Sequence, residues 1–210
     1  QIAEAIVVHE KTSRLLALER ARELLRLVEI EAQRSKNYPH ELSGGMKQRV
    51  MIAMALACNP RLIIADEPTT ALDVMIQAQV LRLLRRLQRE LDLSLILISH
   101  DLSILAQNCD RIAIMYAGQV VEDAPTRNLT EHPAHPYTLE LLRAIPELTG
   151  EKKRLDSIPG NPPDLLNPTE GCRFRERCPW RNDCCDLARE APVLREIEPG
   201  HYVACHLPRS

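Results

Sequence analysis

Two short apolar runs most constrain the fold of this chain, because neither run has a polar face. They cover residues 62–65 and 94–99, and aliphatic residues recur at helical spacing over residues 76–91 between them. A strand without a polar face is typical of a parallel sheet that is covered on both sides. A strand–helix–strand order is typical of α/β layers. The sequence therefore predicts a parallel α/β sheet in which both runs are buried.

Further helices and strands are predicted on either side of this pair. Residues 1–36 carry leucines at near-helical spacing, which predicts one or two amphipathic helices. Residues 45–57 predict a helix that Ser43 caps and Asn59-Pro60 ends; its second half is apolar all round, which predicts burial. Three further elements are predicted after these: a helix over residues 102–108, a hairpin of strands 111–116 and 119–122, and a helix over residues 136–145.

Composition and charge exclude several classes of protein. The formal net charge of -2 gives no electrostatic case for binding nucleic acid. No apolar run approaches the ~20 residues of a membrane-spanning helix, and no signal peptide opens the chain. Because the chain begins at Gln1, without Met and inside a helical pattern, we expect it to be the C-terminal portion of a longer protein.

Two adjacent carboxylates, Asp66 and Glu67, follow the first apolar run. A carboxylate at a strand end can hold Mg²⁺ through water, while its neighbour can act as general base on an attacking water. The alternative is an acidic pair at a helix N-terminus, because Pro68 and Thr69 come next. The residues alone leave both interpretations open.

A glycine-containing turn and a strand-end histidine add further candidates. Ser43, Gly44 and Gly45 place backbone N–H groups at a helix start, where an anion can approach closely, although an ordinary capped turn looks the same. His100 follows the second run and can bind a phosphate oxygen; the alternative is a polar residue whose hydrogen bonds are satisfied within the protein. Asp73 can be a plain N-cap. Nowhere does the chain contain the phosphate-cradling loop G-x-x-x-x-G-K-S/T.

The order and spacing of these pieces resemble the ATP-binding-cassette (ABC) ATPases. The similarity covers residues 1 to about 124 and includes the signature loop, Walker B with its glutamate, the D-loop and the switch histidine. In that order they are Leu42-Ser43-Gly44-Gly45-Met46, residues 62–67, Ala71-Leu72-Asp73 and Ser99-His100-Asp101.

This resemblance implies a role for each candidate residue. Asp66 would orient Mg²⁺, Glu67 would polarise the attacking water, and His100 would sense the γ-phosphate of ATP. The signature turn would face the nucleotide held by a second subunit. Asp73 would also be among the residues that contact ATP. The family's N-terminal third, with Walker A and the Q-loop, is missing, so we expect the 210-residue chain alone to be inactive.

A narrower resemblance, to the oligopeptide/dipeptide importer branch, covers the whole chain. It rests on Met46 in place of the family's usual Gln, on His135-Pro136-Tyr137-Thr138 and on the cysteine-rich end. It implies a peripheral ATPase at the cytoplasmic face of the inner membrane. The implied partners are a homologous or identical ATPase subunit, membrane permease subunits and, indirectly, an extracytoplasmic peptide-binding protein, with no nucleic acid.

Five of the seven cysteines crowd the end of the chain, whereas Cys58 and Cys109 lie in apolar surroundings and are predicted to be small core residues. Without an export signal, such a cluster more often binds metal than forms disulfides. Four thiolates suit an iron–sulfur cluster or zinc, and unliganded thiols remain a third interpretation. The candidate ligands are Cys172, Cys178, Cys185 and Cys205.

The spacing of these cysteines lacks the tight C-x2-C pairs of most zinc sites. If zinc were bound, His201 and His206 would be substitute ligands. The importer branch implies a 4Fe–4S cluster instead, with Cys185 in the ligand position and its neighbour Cys184 left over.

Together these features predict an α/β fold, the C-terminal part of a P-loop NTPase (RecA-like) ABC core, with a helical subdomain and a small irregular cysteine-rich tail. The predicted segments are a helical signature subdomain (1–58), the α/β core (59–124), a helical connector (125–150) and the tail (151–210). The rivals are a non-transport ABC ATPase, which usually carries coiled coils or basic linkers, and an inactive metal-bearing interaction module. Another importer cargo, such as nickel, stays open.

Overall fold

The computed structural model describes residues 1–144 and 158–207. The chain divides into two compact units, Gln1–His100 and Asp101–Ser210, and each is described by itself. The predicted helix end at Ile145 and the start of the predicted tail lie outside the described residues. In the described part of the chain, no helix is long and apolar enough to cross a membrane.

The first unit contains four α-helices and two strands. Their bounds are α1 Ile2–Glu10, α2 Arg14–Leu27, α3 Gly44–Ala55, β1 Leu62–Asp66, α4 Val74–Glu90 and β2 Ser94–Ile98. The strands β1 and β2 pair in parallel, with Ile64 opposite Ile96 and Asp66 opposite Ile98. The predicted strand–helix–strand order and its parallel pairing are confirmed.

The helices of this unit share one apolar core with the inner face of the strands. Leu24 of α2, Ile52 of α3, Ile63 of β1 and Leu87 of α4 are all buried in it. In α4, apolar residues three and four positions apart turn one stripe inward. This core fixes where the loops at the ends of β1 and β2 lie.

Three predictions about burial are wrong. The alternate residues of the two strands, for example Ile64 at 62 % exposure, lie on an uncovered face, because successive strand side chains point to opposite faces and the described residues cover only one. Met51 is 58 % exposed, since it lies on the outer side of α3. Cys58 is exposed because it follows the end of that helix.

The second unit contains a four-stranded antiparallel sheet and short helices. Their bounds are α5 Leu102–Asn108, β3 Arg111–Tyr116, β4 Gln119–Pro125, α6 Thr126–Glu131, α7 Pro136–Arg143, α8 Asp183–Leu187, β5 Arg195–Glu198 and β6 His201–Val203. The strand order is β3-β4-β6-β5. The predicted hairpin is confirmed, and it turns at Ala117 and Gly118, which both have positive φ, as a tight hairpin turn requires.

The cysteine-rich tail contributes two of these four strands. Tyr202 of β6 pairs with Asp123, and Val203 pairs with Glu122. The prediction of irregular structure therefore misses β5 and β6, because strands of four and three residues are too short to show a periodic pattern. The domain bounds drawn from the sequence remain a prediction.

A buried carboxylate joins three segments of this unit. Glu122 is 0 % exposed, and it accepts hydrogen bonds from the backbone N–H groups of Ala134 (2.7 Å) and His135 (3.0 Å). The third partner is Nε2 of buried His201, at 2.7 Å. Glu122 therefore fastens both the segment before α7 and the tail strand β6 to β4.

His135 stays neutral in this environment. Burial lowers the pKa of its imidazole to about 4, and its Nδ1 accepts a hydrogen bond from the Tyr137 N–H at 3.0 Å. Only an unprotonated Nδ1 can accept this bond. The side chain thus caps the start of α7, where backbone N–H groups lack helical partners.

An aromatic cluster holds the first cysteine-bearing segment on the β3–β4 hairpin. Phe174, 1 % exposed, packs against Tyr116 and Tyr137 with ring centroids 5.1 and 5.4 Å apart. On either side, Arg173 donates to the carbonyl of Ala117 and Arg177 donates to the Tyr116 hydroxyl. Buried aromatic packing of this kind supplies the apolar contacts that the tail otherwise lacks.

Candidate functional site

Glu67 lies directly after β1, at the carboxyl edge of the parallel pair. Its N–H donates to the carbonyl of Ile98 at 3.0 Å, so it continues the register of the two strands. Its φ of 46° is in the left-handed region, which is unfavourable for a residue with a Cβ and persists only when the surroundings hold it. A strained residue at a strand end indicates a functional position.

Three hydrogen bonds hold the Glu67 carboxylate. Oε1 accepts the backbone N–H of His100 at 3.0 Å and lies 2.9 Å from His100 Nδ1, while Oε2 accepts the Thr70 hydroxyl at 2.9 Å. The bonds from the His100 ring and from Thr70 lower the pKa of Glu67. An ionised carboxylate is an acceptor only, so His100 donates from Nδ1. The carboxylate is a base with access to solvent, because the Glu67 side chain is itself 35 % exposed.

Asp66 is the last residue of β1 and its side chain is exposed. Carboxylate oxygens are ligands that Mg²⁺ accepts, so this residue fits the magnesium role that the resemblance implies. The alternative, an acidic pair in the first turn of a helix, is wrong because the next helix, α4, begins only at Val74.

Ser43 caps α3 as predicted, with Oγ accepting the N–H of Met46 at 3.3 Å. Gly44 is exposed and Gly45 is buried. A Cβ on Gly45 would lie only 2.5 Å from Cγ2 of Ile76 in α4. The turn and the start of α4 are therefore packed together, although about thirty residues separate them in the chain.

Asp73 is the N-cap of α4, and its Oδ1 accepts the Ile76 N–H at 2.9 Å. Its cap role is confirmed. Because Gly45 contacts Ile76 and Gly44 lies beside Leu72, the loop that ends at Asp73 lies against the Ser43 turn. Four sequence candidates, Ser43, Gly44, Gly45 and Asp73, thus meet in one place.

The close packing at Gly45 gives a stability prediction. Gly45→Ala should lower the free energy of unfolding by about 1–3 kcal/mol, because the added methyl group overpacks against Ile76. Gly44→Ala is the matched control, since its Cβ would meet only the flexible end of Leu72 at 3.2 Å. Urea unfolding of both variants measures the difference. Equal stabilities would contradict this packing.

The four candidate cysteines of the tail influence one another. Burial raises the pKa of Cys205 to about 11, and the charges of the thiols of Cys172, Cys178 and Cys185 raise it as well. Burial and neighbouring thiols also raise the pKa of Cys172 and of Cys178. Cys185 is buried, whereas Cys184 is exposed. Cys172, Cys178 and Cys205 are partly buried, and the four thiols are near enough to influence one another electrostatically. Within residues 1–144 and 158–207, however, no three potential ligands are close enough to hold a single metal ion.

The histidines named as substitute zinc ligands are placed differently. His201 is buried and hydrogen-bonded through Nε2 to Glu122, so it stabilises the sheet. Nε2 of His206 is buried without a hydrogen-bond partner in the described structure. The structure gives His201 no support as a metal ligand.

Two important residues were missed by the sequence analysis. Thr70 donates a hydrogen bond to the Glu67 carboxylate. A hydroxyl residue three positions after a glutamate in a loop is a local signal that could have indicated this bond. Glu122 fastens the tail, but a single glutamate near the end of a strand carries no signal of burial.

Comparison with known proteins adds to this geometry. Residues 2–70 match the family model described as ABC transporter, and residues 121–185 match the model described as oligopeptide/dipeptide transporter, C-terminal region. The first match contains the Ser43 turn and the Asp66–Glu67 pair. In these two segments the chain is similar to the ABC transporter family.

Several named members of the ABC transporter family are similar over almost the whole chain. A probable peptide ABC transporter ATP-binding protein, y4tR of Sinorhizobium fredii, is 52 % identical over 98 % of this chain and 62 % of its own length. The oligopeptide transport ATP-binding protein OppD and the dipeptide transport ATP-binding protein DppD, both of Escherichia coli, are 47 % and 49 % identical over 99 % of the chain. The chain spans 61 % and 64 % of their respective lengths.

A solved ABC structure supports the fold. The cbiO1 protein of Clostridium perfringens, described as part of the ABC transporter complex cbiONQ, superimposes with a TM-score of 0.56 at 30 % identity. The match covers 63 % of this chain and 52 % of that chain. The α/β fold of this chain is therefore similar to that of a solved ABC transporter protein.

Proposed function

We propose that this chain is part of the ATP-hydrolysing subunit of an ABC importer for oligopeptides or dipeptides. The observation that carries the proposal is the ionised Glu67 held by His100 at the end of a parallel strand pair, in a chain similar to the ABC transporter family. The names of OppD and DppD support a peptide cargo. The term intact subunit denotes a protein that contains this chain and a phosphate-cradling loop.

Each site residue has a role in ATP hydrolysis under this proposal. Glu67 accepts a proton from the water that attacks the γ-phosphate, and His100 contacts that phosphate through its exposed ring. Asp66 orients Mg²⁺ through water, and the ion neutralises phosphate charge when it is bound. The N–H groups at the start of α3, in the turn of Ser43 to Met46, face the ATP held by a second subunit; Asp73 keeps the adjoining loop in place.

The partners follow from this mechanism. A homologous or identical ATPase subunit completes each nucleotide site, and closure of the pair drives permease subunits in the membrane between two states. A peptide-binding protein outside the membrane takes part only through the permease. The subunit lies peripherally at the cytoplasmic face of the inner membrane and binds no nucleic acid, which its net charge of -2 supports.

Phosphate release by the intact subunit in complex with its permease subunits tests this function. We expect hydrolysis that requires Mg²⁺ and is stimulated by a mixture of short peptides. Stimulation by nickel instead would favour another importer cargo. Stimulation only by RNA or ribosomes would overturn the proposal in favour of a non-transport ABC ATPase, and no hydrolysis at all would favour an inactive interaction module.

We also propose that the tail holds a 4Fe–4S cluster on Cys172, Cys178, Cys185 and Cys205. The mutual electrostatic influence of these buried or partly buried thiols supports it. A single ion requires all donors within about 2.3 Å of one centre, whereas a four-iron cluster spreads its four thiolates more widely. The bound cluster would cross-link the tail where apolar contacts are few. Zinc is the alternative.

Metal analysis distinguishes these possibilities. Intact subunit purified without oxygen should be brown and contain iron and sulfide, and Cys178→Ser should remove most of the metal. Cys184→Ser is the matched control and should leave the metal in place, because Cys184 is exposed and outside the group. Colourless protein with zinc would contradict the cluster, and an unchanged tail after replacement of all four cysteines would contradict the site.

A further inference from the structure

Thr70 is the second anchor of the Glu67 carboxylate. Its hydroxyl donates to Oε2 at 2.9 Å, while His100 occupies Oε1 with its backbone N–H and its ring. Both carboxylate oxygens are therefore held from different parts of the chain. Without Thr70, the carboxylate would be fixed through one oxygen only and could turn about its last side-chain bond.

The backbone around Thr70 supports a specific role for its hydroxyl. Glu67 and Ala71 have φ values of 46° and 62°, so two left-handed residues lie within five positions. Such strain concentrates at functional sites. The N–H of Thr70 donates to the Glu67 carbonyl at 3.2 Å, so the turn keeps a backbone bond of its own when the hydroxyl is removed.

Thr70 also stands at the start of the segment that lies against the Ser43 turn. Leu72 lies beside Gly44, and Asp73 caps the helix whose Ile76 contacts Gly45. A displacement of the Ser43 turn can therefore move Thr70, because only two residues of backbone connect Thr70 to the contact at Leu72. The hydroxyl is the direct link from this loop to the carboxylate of Glu67.

We propose that Thr70 is a positioning residue for ATP hydrolysis: its hydroxyl and His100 together fix the Glu67 carboxylate in the orientation that accepts a proton from water. This inference rests on the proposed function, because it assigns Glu67 the role of general base. Thr70 itself contacts neither ATP nor water in this role. Its exposed side chain contributes little to packing, so its replacement leaves the fold intact.

Steady-state ATP hydrolysis by the intact subunit in its transporter complex tests the role of Thr70. Thr70→Val keeps the shape of the side chain and removes the hydroxyl. We expect kcat to fall about tenfold, as for one hydrogen bond to a charged group, while KM for ATP stays unchanged. Thr70→Ser restores the hydroxyl and should restore kcat. Thr12→Val, in the connection between α1 and α2, is the matched control and should leave both constants unchanged.

A double-mutant cycle separates positioning from a general structural effect. In a Glu67→Ala background no carboxylate remains to be positioned, so Thr70→Val should not lower the residual rate further. An additive loss in that background, or a Thr70→Val enzyme with the parent kcat, would overturn the proposal. If Glu67→Ala itself hydrolyses ATP at the parent rate, the proposed function fails instead.

Discussion

Glu67→Gln should lower ATP hydrolysis by the intact subunit by about 10²- to 10⁴-fold, which is the usual contribution of a positioned general base. The amide keeps the size of the side chain, and its oxygen can still accept the His100 N–H that bonds Oε1. The variant cannot take a proton from water, because an amide is not a base in this pH range. ATP binding should therefore remain while turnover disappears.

Single-turnover phosphate release and nucleotide binding, measured on the same protein, separate these two effects. Glu19→Gln, an exposed residue of α2, makes the same change in charge away from the site and should behave as the parent. A Glu67→Gln variant that hydrolyses ATP within a few fold of the parent would exclude Glu67 as the base. Loss of binding together with turnover would indicate a structural role instead.

Glu122→Ala should have the largest effect on stability. The substitution leaves three donors without their acceptor, namely the N–H groups of Ala134 and His135 and Nε2 of His201. It also opens a cavity where a fully buried side chain was. Unsatisfied buried donors cost about 1–3 kcal/mol each, so we expect a loss of about 4 kcal/mol or more.

Hydrogen exchange in the tail measures this loss locally. With about 1.4 kcal/mol for each tenfold change, the backbone amides of β6 should exchange roughly 10³-fold faster in Glu122→Ala. Glu122→Gln should lie between it and the parent, because the amide keeps one acceptor oxygen. Glu131→Ala removes an exposed glutamate that pairs with Arg127 on the surface, and it is the matched control. Unchanged exchange in β6 would contradict the proposed fastening of the tail by Glu122.

The parts of the fold with a strong local pattern could be predicted from the sequence. The helical spacing of apolar residues in α4, together with the apolar runs on either side, predicted that this helix connects two parallel strands. The helix Leu102–Asn108 was predicted with the same bounds as in the structure. Ser43 and Asp73 were recognisable as caps because their side chains bond backbone groups only a few residues away. Local signals are sufficient for such elements.

Features that depend on distant partners could not be predicted in the same way. An apolar strand residue such as Ile64 does not reveal whether anything covers it. Glu122 acquires its partners from the segment before α7 and from β6, 79 positions away at His201. The double anchoring of Glu67 by His100 and Thr70 likewise requires the parallel register of β1 and β2, which the sequence indicates only in outline.

Uptake of a labelled short peptide into proteoliposomes tests the central claim most directly. The vesicles would contain the intact subunit, its permease subunits and a peptide-binding protein on the opposite side of the membrane from the ATPase. The account predicts peptide accumulation that requires Mg-ATP and that Glu67→Gln abolishes. Accumulation that proceeds equally without ATP, or ATP hydrolysis that moves no peptide, would contradict it.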